Sequence, residues 1–209
     1  MELMNGVNDL KAMPDLVLAS ASPRRSQLLE SLGLPFKIAA SNAIEPPPSR
    51  LEIENPALYV ENLARLKAQS SDQESIVIAA DTTVVLEIEA RNEILGKPEN
   101  EAQARAMLQK MKGKSHRVFS GVCVRCGARE RVAHQITRVF FRDVSDEFIA
   151  AYVRTGEPMD KAGAYAAQGR GALLIKKIEG DYFNVVGLPL GILSEMLREF
   201  DVEIASFWA

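Results

Sequence analysis

Leu16-Val17-Leu18-Ala19-Ser20-Ala21-Ser22-Pro23-Arg24-Arg25 is the stretch on which the fold class turns: an apolar run gives way to a serine-proline turn, and Leu28, Leu29 and Leu32 follow. A short apolar run with turn chemistry behind it reads as a strand, and the leucine spacing reads as a helix. Ser22 stands at the N-cap, Pro23 suits the first helical position, and Gly33 suits the residue just past the helix end. Free N–H groups and the positive end of the helix dipole then face the same side as Ser20, Ser22 and at least one arginine, which makes an anion site. A capped helix with two solvated arginines accounts for the same residues equally well.

Further along, Ile76-Val77-Ile78-Ala79-Ala80-Asp81-Thr82-Thr83-Val84-Val85-Leu86 reads as a buried, β-branched strand with a carboxylate in its middle. Burying a carboxylate costs several kcal/mol unless it meets a cation, a metal or good donors, so Asp81 either opens onto a cavity or has a partner. Leu95-Gly96-Lys97-Pro98 places a lysine in a turn. The run Gly156–Gly169 gathers Glu157, Asp160, Lys161 and Gln168 among glycines that allow close backbone approach. It reads as a site for a polar ligand or as a solvated loop after a helix.

The rest of the chain alternates. Phe36–Ala40 reads as a second strand. Asn55 and Pro56 open a helix that turns Leu58, Leu63 and Leu66 inward and exposes Arg65 and Lys67; Asn100 begins another, with Leu108 and Met111 apolar and Gly113 ending it. Val118–Val124 and Val132–Phe141 pair across a turn near Gly127, and Ser145 caps a helix to about Thr155. Ala172–Glu179 and Tyr182–Val186 read as a hairpin turning at Gly180-Asp181, and Pro189 starts a last helix bearing Leu193, Met196 and Leu197. Strands that alternate with helices and also pair as hairpins predict an α/β fold with a mixed central sheet flanked by helices.

With 209 residues, 47% of them hydrophobic, the chain can bury a substantial core as one domain with two lobes around a cleft. A net charge of −3 speaks against broad binding to nucleic acid or anionic membranes. No stretch reaches the length of a membrane span, and Met1–Pro14 lacks the apolar core of a signal peptide. The expected location is the cytoplasm, with Met1–Pro14 an extension ahead of a single domain over 15–209. Cys123 and Cys126 form a Cys-x-x-Cys whose redox or zinc use is outweighed by a structural role, since no second pair accompanies it. His116, at the start of a strand, is better read as a hydrogen-bonded structural residue than as a catalyst. Trp208 packs against the body or a partner.

These segments resemble the Maf nucleotide pyrophosphatases from about Leu16 to about Phe200. The landmarks stand in family order: Ser-Ala-Ser-Pro-Arg-Arg at 20–25, Ala-Ala-Asp-Thr at 79–82, Gly-Lys-Pro at 96–98, His116 in Gly-Lys-Ser-His-Arg-Val, Gly-Glu-Pro-Met-Asp-Lys-Ala-Gly-Ala-Tyr at 156–165 and Asn-Val-Val-Gly-Leu-Pro at 184–189. The resemblance implies the fold shared with inosine triphosphate pyrophosphatases, often as a homodimer. It also implies hydrolysis of a nucleoside triphosphate to monophosphate and pyrophosphate with a divalent cation, Mg²⁺ or Mn²⁺. The Glu-Pro-Met-Asp-Lys run and the Val-Val-Gly-Leu-Pro end look like the dTTP/UTP branch; hydrolysis of 7-methyl-GTP, or nucleotide-dependent regulation of division without turnover, are the alternatives.

Carried over from the family, Asp81 is the proton acceptor with Glu45 among its partners; on physical grounds, a lone carboxylate being a weak base, Asp81 with Glu45 is expected to hold the water through a bound metal. Ser22, Arg25, Lys67, Lys97, Asp160 and Lys161 are substrate-binding, and Arg24, Thr82 and Gln168 are associated with substrate choice. A glutamine amide offers one donor and one acceptor to the O4 and N3–H edge shared by uracil and thymine. Two departures from the family pattern stand out. Ala166 replaces a usual glycine and restricts the backbone ahead of Gln168, and three prolines follow Glu45 in place of acidic residues.

Overall fold

The computed structural model describes residues 15–69 and 74–208; the expected extension Met1–Pro14 lies outside them. Strand β1 (Leu16–Leu18) leads through the serine-proline turn into α1 (Pro23–Ser31), and Gly33 beyond its end takes a left-handed φ of 71°. The second strand is shorter than expected: β2 is Lys37–Ile38 alone, and both residues are exposed at the sheet edge. A capping box between Ser49 and Glu52 starts α2 (Arg50–Glu54), a helix concealed in the sequence by the prolines before it.

Helix α3 (Pro56–Gln69) leads to the long strand β3 (Ile76–Ile88), which turns back into β4 (Arg91–Leu95). That hairpin was not legible. Its turn residues Glu89 and Ala90 both have positive φ, 49° and 61°, where asparagine or glycine would announce such a turn. Then come α4 (Glu101–Met111), β5 (Ser115–Cys126), β6 (Arg129–Phe141) and α5 (Asp146–Val153), followed by 3₁₀ turns at Glu157–Asp160, Ala162–Ala164 and Gly169–Leu174. The chain closes with β7 (Ile175–Glu179), α6 (Tyr182–Val186), α7 (Leu190–Glu199) and a final 3₁₀ turn at Ile204–Phe207.

The expected late hairpin is therefore corrected to strand and helix. Tyr, Phe and Val favour strands, but Asp181 caps the Phe183 N–H, Gly187 ends the helix, and the fully buried Asn184 fastens it. The Asn184 Nδ2 donates to Val118 O at 3.0 Å and to Thr137 Oγ1 at 2.9 Å. Tertiary hydrogen bonds override local propensity here.

The sheet runs β2-β1-β3-β5-β6-β7, with β4 also on β3. Pairs β2–β1 and β1–β3 are parallel and the others antiparallel, so the mixed α/β expectation holds. One feature of the register makes the site. Along the edge of β3 opposite β5, β1 pairs with Ile76–Ile78 and β4 with Val84–Ile88, while residues 79–83 between them have a partner only in β5. The sheet forks around that gap. Two apolar cores lie on either side of the fork. One joins Leu18, Ile78 and Val122 to α1 and α7; the other joins Val84, Leu95 and Val139 to α4 and α5. The long strands β3, β5 and β6 run through both and hold the lobes together.

Candidate active site

Asp81 sits in the fork. Consecutive strand residues face opposite sides of a sheet, so Asp81 points toward α3 and Thr82 toward α1 and α6, yet both line the cleft because no strand closes the gap between them. The residues carried over as catalytic, metal-binding or substrate-binding all line this one cleft of about 580 Å³, a volume in the range of small-molecule sites, whereas Glu157 of the Gly156–Gly169 run does not.

On the α3 side the floor is ionic. The Lys67 ammonium donates to Asp81 Oδ1 at 2.6 Å and meets Glu45 Oε1 at 2.8 Å. Lys67 is not the exposed residue expected on α3. Its side chain is 13% accessible because Tyr59, Leu63 and Lys67, at i, i+4 and i+8, form a helix face that looks into the cleft, while Leu58 and Leu66 are only half-buried. Helix α3 lies this low because Gly121, opposite Asp81 on β5, has no side chain: a Cβ there would stand 2.2 Å from Val60 O. The Tyr59 hydroxyl donates to Pro46 O at 3.2 Å, tying the proline loop that carries Glu45 to the same helix. Tyr59 escaped the sequence reading, although its spacing from Lys67 was the available signal.

On the α1 side the cleft is cationic. Arg25 is fixed by three bonds: Nε to Gly187 O at 2.9 Å, and the two terminal nitrogens to Ser20 Oγ and Thr82 Oγ1, each at 3.2 Å. Burial lowers its pKa, opposed by the charge of Asp81. Thr82 Oγ1 also lies 2.8 Å from Ser120 Oγ, so this threonine is a junction and not a free hydroxyl. Ser22 occupies the N-cap position but its side chain bonds none of the first-turn amides. Gly187 contributes only a carbonyl, which no sequence signal marks.

The far wall comes from the Gly156–Gly169 run. Asp160 accepts from Lys161 at 2.5 Å and from Arg24 at 3.4 Å, joining this wall to α1 across the cleft mouth. Burial pushes the Asp160 carboxyl up, but these cations outweigh it and hold it below its ordinary value. Lys161 also donates to Glu157 O at 2.7 Å. Lys97 and Gln168 are both exposed on the cleft. Beneath Lys97, the Gly163 N–H donates to Gly96 O at 3.0 Å; Gly163 has φ 68°, and a Cβ on it would meet Val84 at 2.9 Å. Glu157 does not point at a ligand: its carboxylate is taken up by backbone amides behind the wall. Ala166, for its part, fits without strain, since the left-handed residues nearby are Gly163, Ala164 and Gly169.

The remaining candidates are structural. His116 Nε2 lies 2.8 Å from the Tyr165 hydroxyl, and burial pushes its pKa down to about 3, so the ring is neutral. Cys123 is buried, its thiol pushed up to about 12, and Cys126, three residues on, faces the other side of the sheet. That disposition suits neither a disulfide nor a shared metal. The Trp208 indole N–H donates to Leu32 O at 2.7 Å, so it packs on the body.

The site is thus a split α/β sheet whose gap exposes a carboxylate, flanked by a cationic helix start and a lysine-bearing helix. A family model described as Maf-like protein matches residues 15–200, and the chain belongs to that family. Among its relatives are the dTTP/UTP pyrophosphatase of Pelotomaculum thermopropionicum, 47% identical over 197 residues that cover 92% of this chain and 100% of that protein, and the dTTP/UTP pyrophosphatase of Moorella thermoacetica, 49% identical over 197 residues that cover 92% and 98%. The solved Staphylococcus aureus Ham1 protein is a distant likeness, with a TM-score of 0.46 at 14% identity over 77% of this chain and 79% of that one. Among the described residues no helix is long and apolar enough to cross a membrane.

Proposed function

We propose that this protein is a nucleoside triphosphate pyrophosphatase that hydrolyses dTTP and UTP to the monophosphate and pyrophosphate. The observation that carries the reading is the placement of Asp81, the acid in the sheet gap, between the Lys67 ammonium and the fixed Arg25 guanidinium. A triphosphate needs its charge neutralised and the attacking water aligned, which supply most of the catalysis in phosphoryl transfer. Arg25, already held by three bonds, meets phosphate oxygens without reorganisation, and Lys67, Lys97 and Lys161 supply further positive charge from the floor and the wall.

The water oxygen bonds to the α-phosphorus as the bond to the α,β-bridging oxygen breaks, and that electron pair leaves with pyrophosphate. The Asp81 carboxylate takes the water proton as attack proceeds. Carboxylates are weak bases at neutral pH, so the proton moves only as the water oxygen gains its bond to phosphorus.

The family resemblance also implies a divalent cation, and the residues fit one. Glu45 and Asp81 bring carboxylates from separate elements to a shared point on the cleft floor. Hard cations that retain water need only one or two protein carboxylates beside phosphate oxygens. Among the described residues no group of three or more His, Cys, Asp or Glu could hold a metal, so water and substrate would complete the shell. When bound, such an ion would screen phosphate charge and acidify the attacking water.

Base choice falls to Gln168, exposed on the far wall with an amide that matches the uracil and thymine edge. The test is release of pyrophosphate from dTTP, UTP, CTP, 7-methyl-GTP and the standard purine triphosphates with Mg²⁺ or Mn²⁺. Monophosphate and pyrophosphate from dTTP and UTP in preference to the others are expected. A preference for 7-methyl-GTP, or nucleotide binding without turnover, would overturn the reading.

A further inference from the structure

The wall segment that carries Gln168 is anchored on both sides by two residues that do not face the cleft. Before it, the Ala166 N–H donates to the Tyr152 hydroxyl at 3.2 Å. After it, the Gly171 N–H donates to Glu157 Oε1 at 2.9 Å and the Arg170 N–H to Glu157 Oε2 at 3.2 Å. The two anchors are themselves joined, Tyr152 Oη donating to Glu157 Oε1 at 3.1 Å. Burial raises the Glu157 carboxyl, but these donors outweigh it and keep it below its ordinary value, so it is an acceptor at neutral pH.

The glycines of the segment fit this clasp closely. Gly169 has φ 66°, and a Cβ on it would stand 3.0 Å from Glu157 Oε2; one on Gly171 would stand 2.5 Å from Ala166 O and 2.6 Å from Tyr152 Oη. Tyr152 is rooted in α5 within the second core, at 4% exposure. Its clasp therefore passes the rigidity of that core to the short exposed arch of residues 168–170, in which Gln168 lines the cleft beside Ala166 and Ala167.

We propose that Tyr152 and Glu157 are positioning residues for base selection: their clasp on Ala166, Arg170 and Gly171 sets the place from which Gln168 reads the nucleobase. The inference rests on the dTTP/UTP reading above and adds to it residues that touch no substrate. A carboxylate suits the task because it accepts two amides and a hydroxyl at once, which an amide side chain cannot do. Selection by paired donors and acceptors is also sensitive to small displacements, because a misplaced partner leaves buried polar groups unmatched.

The experiment compares kcat and KM for UTP and CTP in the wild type, Tyr152→Phe and Glu157→Gln, with amide hydrogen exchange followed across the segment. Tyr152→Phe keeps the ring in the core and removes only the hydroxyl. The expected result is a KM for UTP raised about 5- to 10-fold, a UTP-over-CTP preference in kcat/KM lowered about 10-fold, and kcat changed less than about threefold. Amides of Ala166, Arg170 and Gly171 should exchange about 10-fold faster. Glu157→Gln should follow the same pattern with larger shifts. An unchanged preference in both variants, or a kcat loss equal for both nucleotides with preference intact, overturns the clasp. If the wild type itself shows no preference for UTP over CTP, the functional reading fails instead, and unaltered exchange in the variants overturns the clasp independently.

Discussion

The floor of the cleft and its far wall use the same side chain for opposite ends. On the floor, Asp81 and Glu45 share the ammonium of Lys67, a contact of side chains alone that can rearrange around an incoming ligand. In the wall, the Glu157 carboxylate is bonded to two backbone amides and a buried tyrosine and has little freedom to respond. The difference lies in the partners: a carboxylate beside a side-chain cation at an opening is available for chemistry, whereas one that satisfies amides is scaffold. On the proposed function, the floor serves the phosphates while the wall holds a fixed frame for the base.

The largest effect should come from disabling the floor. Asp81→Asn keeps the shape and removes the proton acceptor, and kcat should fall about 1,000-fold in steady-state pyrophosphate release, with the thermal midpoint little changed. Near-normal turnover would return Asp81 to the role of a buried counter-ion.

Next is the support beneath the floor. Gly121→Ala drives a Cβ into the backbone of α3 at Val60 and should cost about 3 kcal/mol in urea unfolding. Because α3 carries Lys67, surviving folded protein should lose turnover but keep its nucleotide preference.

The wall's sensitivity lies in acid. His116, hydrogen-bonded to Tyr165, is held to about 3 by burial against 6.5 when free. Below pH 6.5 the unfolded chain takes up a proton that the folded chain refuses, so stability falls by about 1.4 kcal/mol per pH unit down to about pH 3. In His116→Gln the loss of stability between pH 7 and pH 5 should shrink by about 2 kcal/mol, measured by urea melts at the two pH values. The smallest effect is expected at the tie between α1 and the wall. Arg24–Asp160, with the acid 64% accessible, should contribute less than about 1 kcal/mol, so Arg24→Ala should leave the melting temperature nearly unchanged.

What could be read in advance divides along physical lines. Strand-turn-helix at Leu16–Ser31, the paired β5 and β6, and α4, α5 and α7 were legible because periodicity and caps spoke with one voice. Elements fixed by tertiary contacts were not: α6 depends on the buried bonds of Asn184, and β4 begins at a turn whose Glu89-Ala90 carries no turn signature. Within the site, residue types foretold which groups gather at the cleft but not their division of labour. Glu157 looked as much like a ligand group as Asp160 did, since nothing in Gly-Glu-Pro-Met-Asp reveals that the amides of Arg170 and Gly171 will fold back onto it. Lys67 looked solvent-exposed because the low seat of α3 is set by the absent side chain of Gly121, on a different element.

The separation of floor from wall is tested most directly by measuring kcat/KM for UTP and CTP side by side in Asp81→Asn and Gln168→Ala. The expected result is that Asp81→Asn lowers both values by a common factor and leaves their ratio within about twofold of wild type, while Gln168→Ala collapses the ratio by about 10-fold or more with kcat for UTP largely kept. A shift of the ratio in Asp81→Asn, or an intact ratio in Gln168→Ala, would contradict it.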